Sequence, residues 1–116
     1  MIAPAETAPL DRRFAALADP TRRAILARLA QGEATVADLG KPFRLSQPTI
    51  SKHLKVLEAA GLIEAGQAAQ SRPRRLKPEA LREAAQWFED IGQLWSDRFD
   101  RLDTVLADLQ RPTGKE

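Results

Sequence analysis

The segment 46–61 narrows the possible folds of this chain more than any other feature. Ser46 is a favourable N-cap, and Gly61 supplies the left-handed stop that commonly ends a helix. Between these two signals the apolar residues repeat at the spacing of one helical face: Ile50, Leu54 and Leu57. The segment therefore predicts a short amphipathic helix. Its narrow apolar stripe must be covered by other elements, and the rest of its surface is polar.

Three shorter helices are predicted ahead of this segment. The first begins at Leu10, and the second begins where Asp19 provides a cap and Pro20 fits the first helical position. Gly32 ends the second helix, and a short third helix begins after Thr35. The residues predicted to point inward repeat every three or four positions: Leu10, Phe14, Leu17, Ala18, Ile25, Leu26, Leu29, Val36, Leu39 and Phe43.

A hairpin and a long helix are predicted after the amphipathic helix. Segments 62–65 and 72–77 are extended in character and flank a small polar loop at 66–71, although no Asn-Gly or Asp-Gly pair marks the turn. A long helix then covers 78–110. A helix, a tight connection and a second helix with a polar outer face form a helix-turn-helix unit. We therefore predict a mainly α fold with a small β-hairpin, a winged helix-turn-helix.

The same pass along the chain predicts its domain organisation. Residues 10–110 are expected to form one domain that combines DNA binding and dimerisation. Residues 1–9 are expected to be a disordered leader, because they lack the basic start and apolar run of a signal peptide. Residues 111–116 are expected to be a flexible tail.

The basic residues are concentrated in the middle of the chain. Residues 44–77 carry seven basic and two acidic groups, a net charge of +5, although the whole chain carries only +2. Residues 1–43 are nearly neutral, with six basic and five acidic groups, and residues 78–116 carry five basic and nine acidic groups. A local basic patch is typical of a protein that binds phosphate groups. An ordinary solvated face is the alternative.

The predicted helix at 46–60 carries a polar face opposite its apolar stripe. Small residues on such a face permit close approach to a major groove. Gln47 can pair with adenine, and Lys52 can reach guanine or the backbone. The helix N-terminus adds a partial positive charge that favours phosphate. The candidate DNA-binding residues of this helix are Ser46, Gln47, Pro48, Thr49, Ser51, Lys52, His53 and Lys55.

Three arginines follow the predicted loop of the hairpin. Arg72, Arg74 and Arg75 lie within four residues, and Pro73 keeps this stretch extended. Arginines on a protruding loop suit insertion beside a minor groove or contact with the flanking backbone. A loop that only improves solubility is the alternative. Because the three arginines lie close in the chain to a helix-turn-helix, we include them among the candidate DNA-binding residues.

The composition excludes several kinds of chemistry. The chain has no cysteine, which removes disulfides, thiolate metal sites and cysteine nucleophiles. Its single histidine, His53, has no second histidine as a partner, and three of the four serines, Ser46, Ser51 and Ser71, fall in the DNA-facing region. We therefore expect neither an enzyme nor a metal or cofactor site. No apolar run approaches the roughly 20 residues that span a bilayer, so we expect no membrane contact and a cytoplasmic location.

The long last helix carries a broad apolar stripe. Such a stripe is ordinarily core or a surface for a partner helix, and short helices of the same chain are too few to cover it. We expect it to pair with the equivalent helix and with the first helix of a second copy. The candidate dimerisation residues are Leu10, Phe14, Leu17, Phe88, Ile91, Trp95, Phe99 and Leu102.

Three runs carry a resemblance to a known family. Residues 14–23 (FAALADPTRR), 45–54 (LSQPTISKHL) and 57–63 (LEAAGLI) resemble the ArsR/SmtB family of bacterial winged-helix repressors, and the similarity covers about residues 10–109. The resemblance implies a homodimer that occupies a promoter operator, with the helix at 46–60 as recognition helix and residues 64–77 as the wing. It also implies release of DNA in response to a signal.

The chain departs from the metal-sensing members of that family. Those members carry cysteines in the short helix before the recognition helix, where this chain has residues 35–39 (TVADL). Other members bind zinc through the last helix, yet residues 78–110 contain no histidine. Ser71 and Arg74 stand where some members have Trp and Cys. Because carboxylates alone bind zinc or arsenic poorly, metal sensing is not expected and the inducer stays unassigned.

These observations predict a sequence-specific regulator that binds palindromic double-stranded DNA as a homodimer and represses transcription. The alternative is a winged-helix module used for protein contact, such as an adaptor or anti-repressor. The basic wing argues against that alternative. A DNA-binding assay separates the two.

Overall fold

A computed structural model of the chain describes residues 4–66 and 72–110. Within these residues the chain is mainly α-helical and carries one antiparallel hairpin, which confirms the predicted fold class. The elements in chain order are α1 (Pro4–Leu17), α2 (Pro20–Leu29), α3 (Val36–Gly40), a 3₁₀ turn (Lys41–Phe43), α4 (Gln47–Ala59), β1 (Ile63–Ala65), β2 (Arg74–Leu76) and α5 (Pro78–Gln110).

The predicted start and stop signals lie where helices begin and end. Asp19 caps α2, with Pro20 as its first residue. Thr35 caps α3 in a reciprocal arrangement, because its hydroxyl accepts the N–H of Asp38 at 3.2 Å while the Asp38 carboxylate accepts the N–H of Thr35 at 3.4 Å. Gly61 follows α4 with φ of +75°, the left-handed conformation that ends a helix at low cost for glycine.

The first helix differs from its prediction in its start and in its buried face. It begins at Pro4, so residues 4–9 of the expected leader are helical here, and residues 1–3 lie outside the described residues. Pro4 suits the first turn of a helix, whereas Pro9 lies inside α1, where proline removes one backbone hydrogen bond and its ring crowds the carbonyl four residues earlier. The fully buried residue of α1 is Ala16, whereas Phe14 and Leu17 are half-buried and Ala18 is exposed beyond the helix end.

The hairpin is short and is extended by a third backbone segment. Ile63 pairs with Leu76 and Ala65 pairs with Arg74 in antiparallel register. On the other edge, the Arg74 N–H donates to the Ala34 carbonyl at 2.8 Å, and the Ala34 N–H donates back at 3.2 Å. These bonds attach the wing to the connection between α2 and α3. The predicted loop at 67–71 lies outside the described residues.

One apolar core holds the helix-turn-helix and the base of the wing. Its largest fully buried side chains come from α2, α3, α4 and the start of the hairpin, as the apolar spacing predicts. Burying each of these side chains contributes about 1.5–3 kcal/mol relative to exposure. They are Ile25, Leu39, Ile50, Leu54, Leu57, Leu62 and Ile63.

The chain divides between Ala84 and Ala85 into two compact units, although the sequence predicts one domain over 10–110. In the first unit the α5 residues Ala80 and Ala84 are buried. In the second unit every described residue of α5 is exposed. Across the described ranges, none of the helices combines the length and apolar character needed to cross a membrane.

Candidate nucleic-acid interface

The N-terminus of α4 is held by its cap. The Ser46 hydroxyl accepts the backbone N–H of Thr49 at 3.3 Å, and the two hydroxyl oxygens lie 2.9 Å apart. Ser46 is exposed and Thr49 is half-buried, so the capping contact stands at the surface. The aligned peptide dipoles give this end of α4 a partial positive charge that favours an anion such as phosphate.

The outer face of α4 brings together most of the residues predicted to read DNA. Ile50, Leu54 and Leu57 are at most 1% exposed and fix the rotation of the helix about its axis. The exposed residues Pro48, Lys52, Lys55 and Ala59 fall on the opposite side at the helical spacing, and the exposed Gln47 lies in the first turn at the edge of that face. Ser51 and His53 flank that face and are half-buried. The predicted polar and basic face is therefore present on α4.

His53 lies beside the cap of the neighbouring helix. Its Nδ1 atom is 3.9 Å from Oδ2 of Asp19, and both side chains are partly exposed. The Asp19 carboxylate accepts the N–H of Arg22, and this bond holds the pKa of Asp19 below its ordinary value. The charges of His53 and Arg22 act in the same direction. His53 thus lies at the border of the α4 outer face and beside Asp19, a residue of the same unit.

The three predicted wing arginines differ in their surroundings. Nε of Arg74 donates to Glu58 on α4 at 2.8 Å, and its side chain is only 17% exposed. Arg75 donates to Glu64 across the hairpin at 3.0 Å and keeps half of its surface exposed. Arg72 is exposed and forms no ion pair with the residues in the described ranges. Of the three, Arg74 is the most enclosed by the protein itself.

Two features of this surface are absent from the sequence-based prediction. Arg44 is exposed just before α4 and has a left-handed backbone, with φ of +54°. A basic residue two positions before the Ser46 cap is a sequence signal that could have identified it. The acidic partner Glu58 is the second feature. Its pairing joins residues 16 positions apart, and local spacing does not indicate such a pair.

The predicted dimerisation residues fall in both units. In the first unit, Leu10, Phe14 and Leu17 of α1 are half-buried. In the second unit, the predicted α5 residues are between 45% and 59% exposed, and Trp95 packs edge-to-face on Phe99 with ring centroids 5.0 Å apart. The exposed apolar residues of α5 are Trp87, Phe88, Ile91, Leu94, Trp95, Phe99, Leu102, Val105, Leu106 and Leu109.

The described ranges contain no group of three or more His, Asp or Glu side chains placed to hold a metal ion. Two of these carboxylates are engaged elsewhere, Asp38 in the cap of α3 with Thr35 and Glu58 in the ion pair with Arg74. The arrangement can bind a polyanion through helix N-terminal charge and basic side chains.

Comparison with known proteins identifies a helix-turn-helix domain in the part of the chain that carries this surface. A family model described as a helix-turn-helix domain matches residues 17–65. The HTH-type transcriptional regulator Rv2034 of Mycobacterium tuberculosis is 41% identical over 86 residues, which cover 74% of this chain and 78% of that protein. The transcriptional repressor SdpR of Bacillus subtilis is 36% identical over 65% of this chain and 83% of its own length.

Solved structures show the same likeness. The crystal structure of an ArsR family transcriptional regulator superposes with a TM-score of 0.71 at 39% identity, covering 76% of this chain and 97% of that one. A homodimeric winged helix-turn-helix DNA-binding domain from Mycobacterium bovis, described as a possible ArsR-family regulator, gives a TM-score of 0.61 at 27% identity. That match covers 84% of this chain and 87% of the other.

Proposed function

The chain belongs to the ArsR/SmtB family of winged helix-turn-helix transcriptional regulators, and from that membership we propose that it is a homodimeric repressor of a palindromic operator. In this proposal α4 is the recognition helix and enters the major groove. The wing, residues 64–77, contacts the adjacent backbone or minor groove. The chain acts through binding and carries out no reaction.

The observation that carries the proposal is the exposed face of α4. A buried stripe of Ile50, Leu54 and Leu57 directs Gln47, Lys52 and the neighbouring small residues away from the core. Such a face suits base edges, because Gln can bond bidentately to adenine and Lys can bond to guanine. The residues proposed to contact DNA from this helix are Ser46, Gln47, Pro48, Thr49, Ser51, Lys52, His53 and Lys55.

The wing supports the proposal through its exposed charge. Arg72 and Arg75 are both exposed, and Arg75 is held only by surface ion pairs, to Glu64 and, at 3.8 Å, to Glu33. Exposed pairs of this kind contribute little free energy and exchange readily for a phosphate. Arg74 also belongs to the proposed DNA-binding surface.

The exposed apolar stripe of α5 supports a homodimer. Phe88, Ile91, Trp95, Phe99 and Leu102 recur every three or four residues along the helix. An exposed stripe of this size is unusual for a monomer and marks an association surface. The homodimeric Mycobacterium bovis domain shows that a protein of this fold can form a homodimer. A two-fold axis would place two α4 helices in successive major grooves, about 34–36 Å apart.

We further propose that the signal sensed by this repressor is not a metal ion. Zinc and arsenic prefer nitrogen and sulfur ligands, and the chain has no cysteine and a single histidine. That histidine, His53, lies beside Asp19 on the first unit. This donor set does not make a site for either element.

Selection of bound sequences from a pool of random duplexes tests the proposal. Each duplex should be about 30 base pairs long, which leaves room for two half-sites one turn apart. We expect enrichment of an imperfect palindrome. Lys52→Ala should enrich a different or weaker sequence, whereas Gln93→Ala, on α5, should enrich the wild-type sequence. Failure of the wild type to bind any duplex at low salt would favour the protein-contact module instead.

A further inference from the structure

Arg74 joins three parts of the first unit. Its backbone N–H and carbonyl pair with Ala34, on the connection between α2 and α3. Its Nε donates to Glu58 near the end of α4 at 2.8 Å. Its Nη1 donates to the carbonyl of Arg72, which has a positive φ of +34° at the edge of the described hairpin. One residue therefore links the wing, the recognition helix and the connection behind them.

Two of the five N–H donors of the guanidinium form these side-chain bonds, Nε to Glu58 and one on Nη1 to the carbonyl of Arg72, and they fix the position of the group. Arg74 is 17% exposed and Glu58 is 35% exposed, so water screens this pair less than it screens Arg75 and Glu64, at 51% and 44%. Moving the Arg74 guanidinium outward to a DNA phosphate would break its bond to Glu58 and leave that carboxylate partly buried without its partner. Arg72 faces no such cost from an ion pair within the described ranges.

We propose that Arg74 is a positioning residue, which holds the wing against α4 through Glu58 and binds no DNA phosphate itself. The inference rests on the proposed function, since it divides the wing arginines into two kinds. Arg72 and Arg75 contact DNA. Arg74 sets the distance and angle between the wing and the helix that reads the major groove.

The sign of the Glu58 effect separates this proposal from simple electrostatics. Glu58 carries a negative charge at the edge of the DNA-facing helix, so removing it should strengthen DNA binding if charge alone matters. If Glu58 instead anchors Arg74, removing it frees the wing and weakens DNA binding. The two views predict opposite changes for one substitution.

Glu64→Ala is the matched control. It also removes one negative charge, from strand β1 that follows α4, but its partner Arg75 is half-exposed and the pair is correspondingly weak. We expect Glu64→Ala to bind DNA as tightly as the wild type, or more tightly. We expect Glu58→Ala to lose about three- to tenfold in affinity, between the contributions of an exposed ion pair and of a buried charged hydrogen bond.

The experiment is a double-mutant cycle with Glu58→Ala, Arg74→Ala and the double variant. Binding is measured by fluorescence anisotropy on the duplex that the wild type enriches from the random pool, over a series of salt concentrations. All measurements are made where circular dichroism shows each variant folded, so a loss of stability alone does not change the readout. If an alanine variant fails to fold, Glu58→Gln and Arg74→Lys replace the alanines. Arg74→Lys keeps the charge but not the three-way bonding.

The proposal predicts that Glu58→Ala and Arg74→Ala lose DNA affinity by similar factors, and that the double variant binds DNA no more weakly than either single variant. It also predicts that the log–log salt slope of Arg74→Ala matches the wild type, whereas Arg72→Ala lowers it by about one. Unchanged or tighter binding by Glu58→Ala, additive losses, or a slope lowered by about one in Arg74→Ala would overturn it. If the wild type itself binds no duplex, the proposed function fails and this division of roles fails with it, whereas a wild type that binds beside an unchanged Glu58→Ala overturns the division alone.

Discussion

Nδ1 of His53 lies 3.9 Å from Oδ2 of Asp19, and the same carboxylate oxygen accepts the Arg22 N–H at 3.0 Å. Asp19 thereby caps α2 and at the same time faces α4. The protonation state of the Asp19 carboxylate therefore affects both the cap of α2 and its contact with α4.

Replacing Asp19 by Asn should make the free energy of unfolding depend less on pH in the acid range. The N–H of Arg22 lowers the pKa of Asp19 in the folded chain below its unfolded value, and the charge of His53 adds to this effect. The stabilisation is therefore complete above the unfolded pKa of about 3.9 and is lost as the pH falls through the lower folded pKa. Asn still caps the helix but does not titrate. Urea unfolding at a series of pH values below about 5 measures the difference.

Asp100→Asn is the control for this measurement, since it makes the same change of charge on the surface of α5. Asp38→Asn should act like Asp19→Asn to a similar degree. The pKa of Asp38 is lowered first by the Thr35 hydroxyl, which its carboxylate meets in the cap of α3. If the free energy of unfolding changes with pH in the same way for Asp19→Asn and the wild type, the cap carboxylate does not contribute to the pH dependence.

Leu57→Ala should destabilise the chain far more than Val56→Ala, its neighbour on α4. Leu57 is fully buried whereas Val56 is 41% exposed. Truncating a buried leucine costs about 2–5 kcal/mol because it leaves a cavity. A surface truncation usually changes stability by no more than about 0.5 kcal/mol. Chemical unfolding of the two variants measures both values. Equal losses would mean that α4 is rotated about its axis relative to the structure.

Local signals in the sequence predict most of the helices. The cap at Ser46, the stop at Gly61 and the proline at residue 78 each act within one turn, so α4 and the start of α5 lie where expected. The apolar spacing of α4 correctly identifies its buried face because that helix has one narrow stripe. In α1 several alanines lie beside the large side chains, and spacing alone did not identify Ala16 as the buried residue.

Contacts between distant residues lie beyond such signals. The bridge between Ala34 and Arg74 and the pair of Arg74 with Glu58 depend on how the hairpin packs, not on neighbouring residues. The sequence therefore suggests three equivalent arginines on the wing, whereas the structure distinguishes Arg74 from the other two. The left-handed backbone of Arg44 is similarly unexpected, because arginine has no preference for positive φ.

Gln47→Ala and Lys52→Ala should change which operator sequence is preferred. A residue that makes a good bidentate base contact discriminates by about 1–3 kcal/mol against the wrong base. Affinities for duplexes that differ from the selected sequence by single base pairs measure this effect. Arg72→Ala should instead weaken all of these duplexes by a similar factor. If both α4 variants keep the operator sequence preference of the wild type, the assignment of the recognition face to these residues is wrong.

Zinc and arsenite should leave the complex with DNA intact. With no cysteine and one histidine, the chain lacks the nitrogen and sulfur ligands these elements prefer. Titration of either ion into a preformed complex, followed by anisotropy, checks this expectation, with a chelator added afterwards as a control. Stoichiometric release at micromolar metal, abolished by His53→Ala, would contradict the absence of metal sensing.

Sedimentation velocity of the wild type, alone and with the selected duplex, tests whether the chain binds its operator as a homodimer. We predict a dimer at micromolar concentration and two protomers on each duplex. Trp95→Ala should be monomeric yet folded, since Trp95 is 56% exposed within one chain, and it should bind the operator weakly. Gln93→Ala on the same helix should sediment like the wild type. A monomeric wild type that binds one half-site tightly would contradict the account.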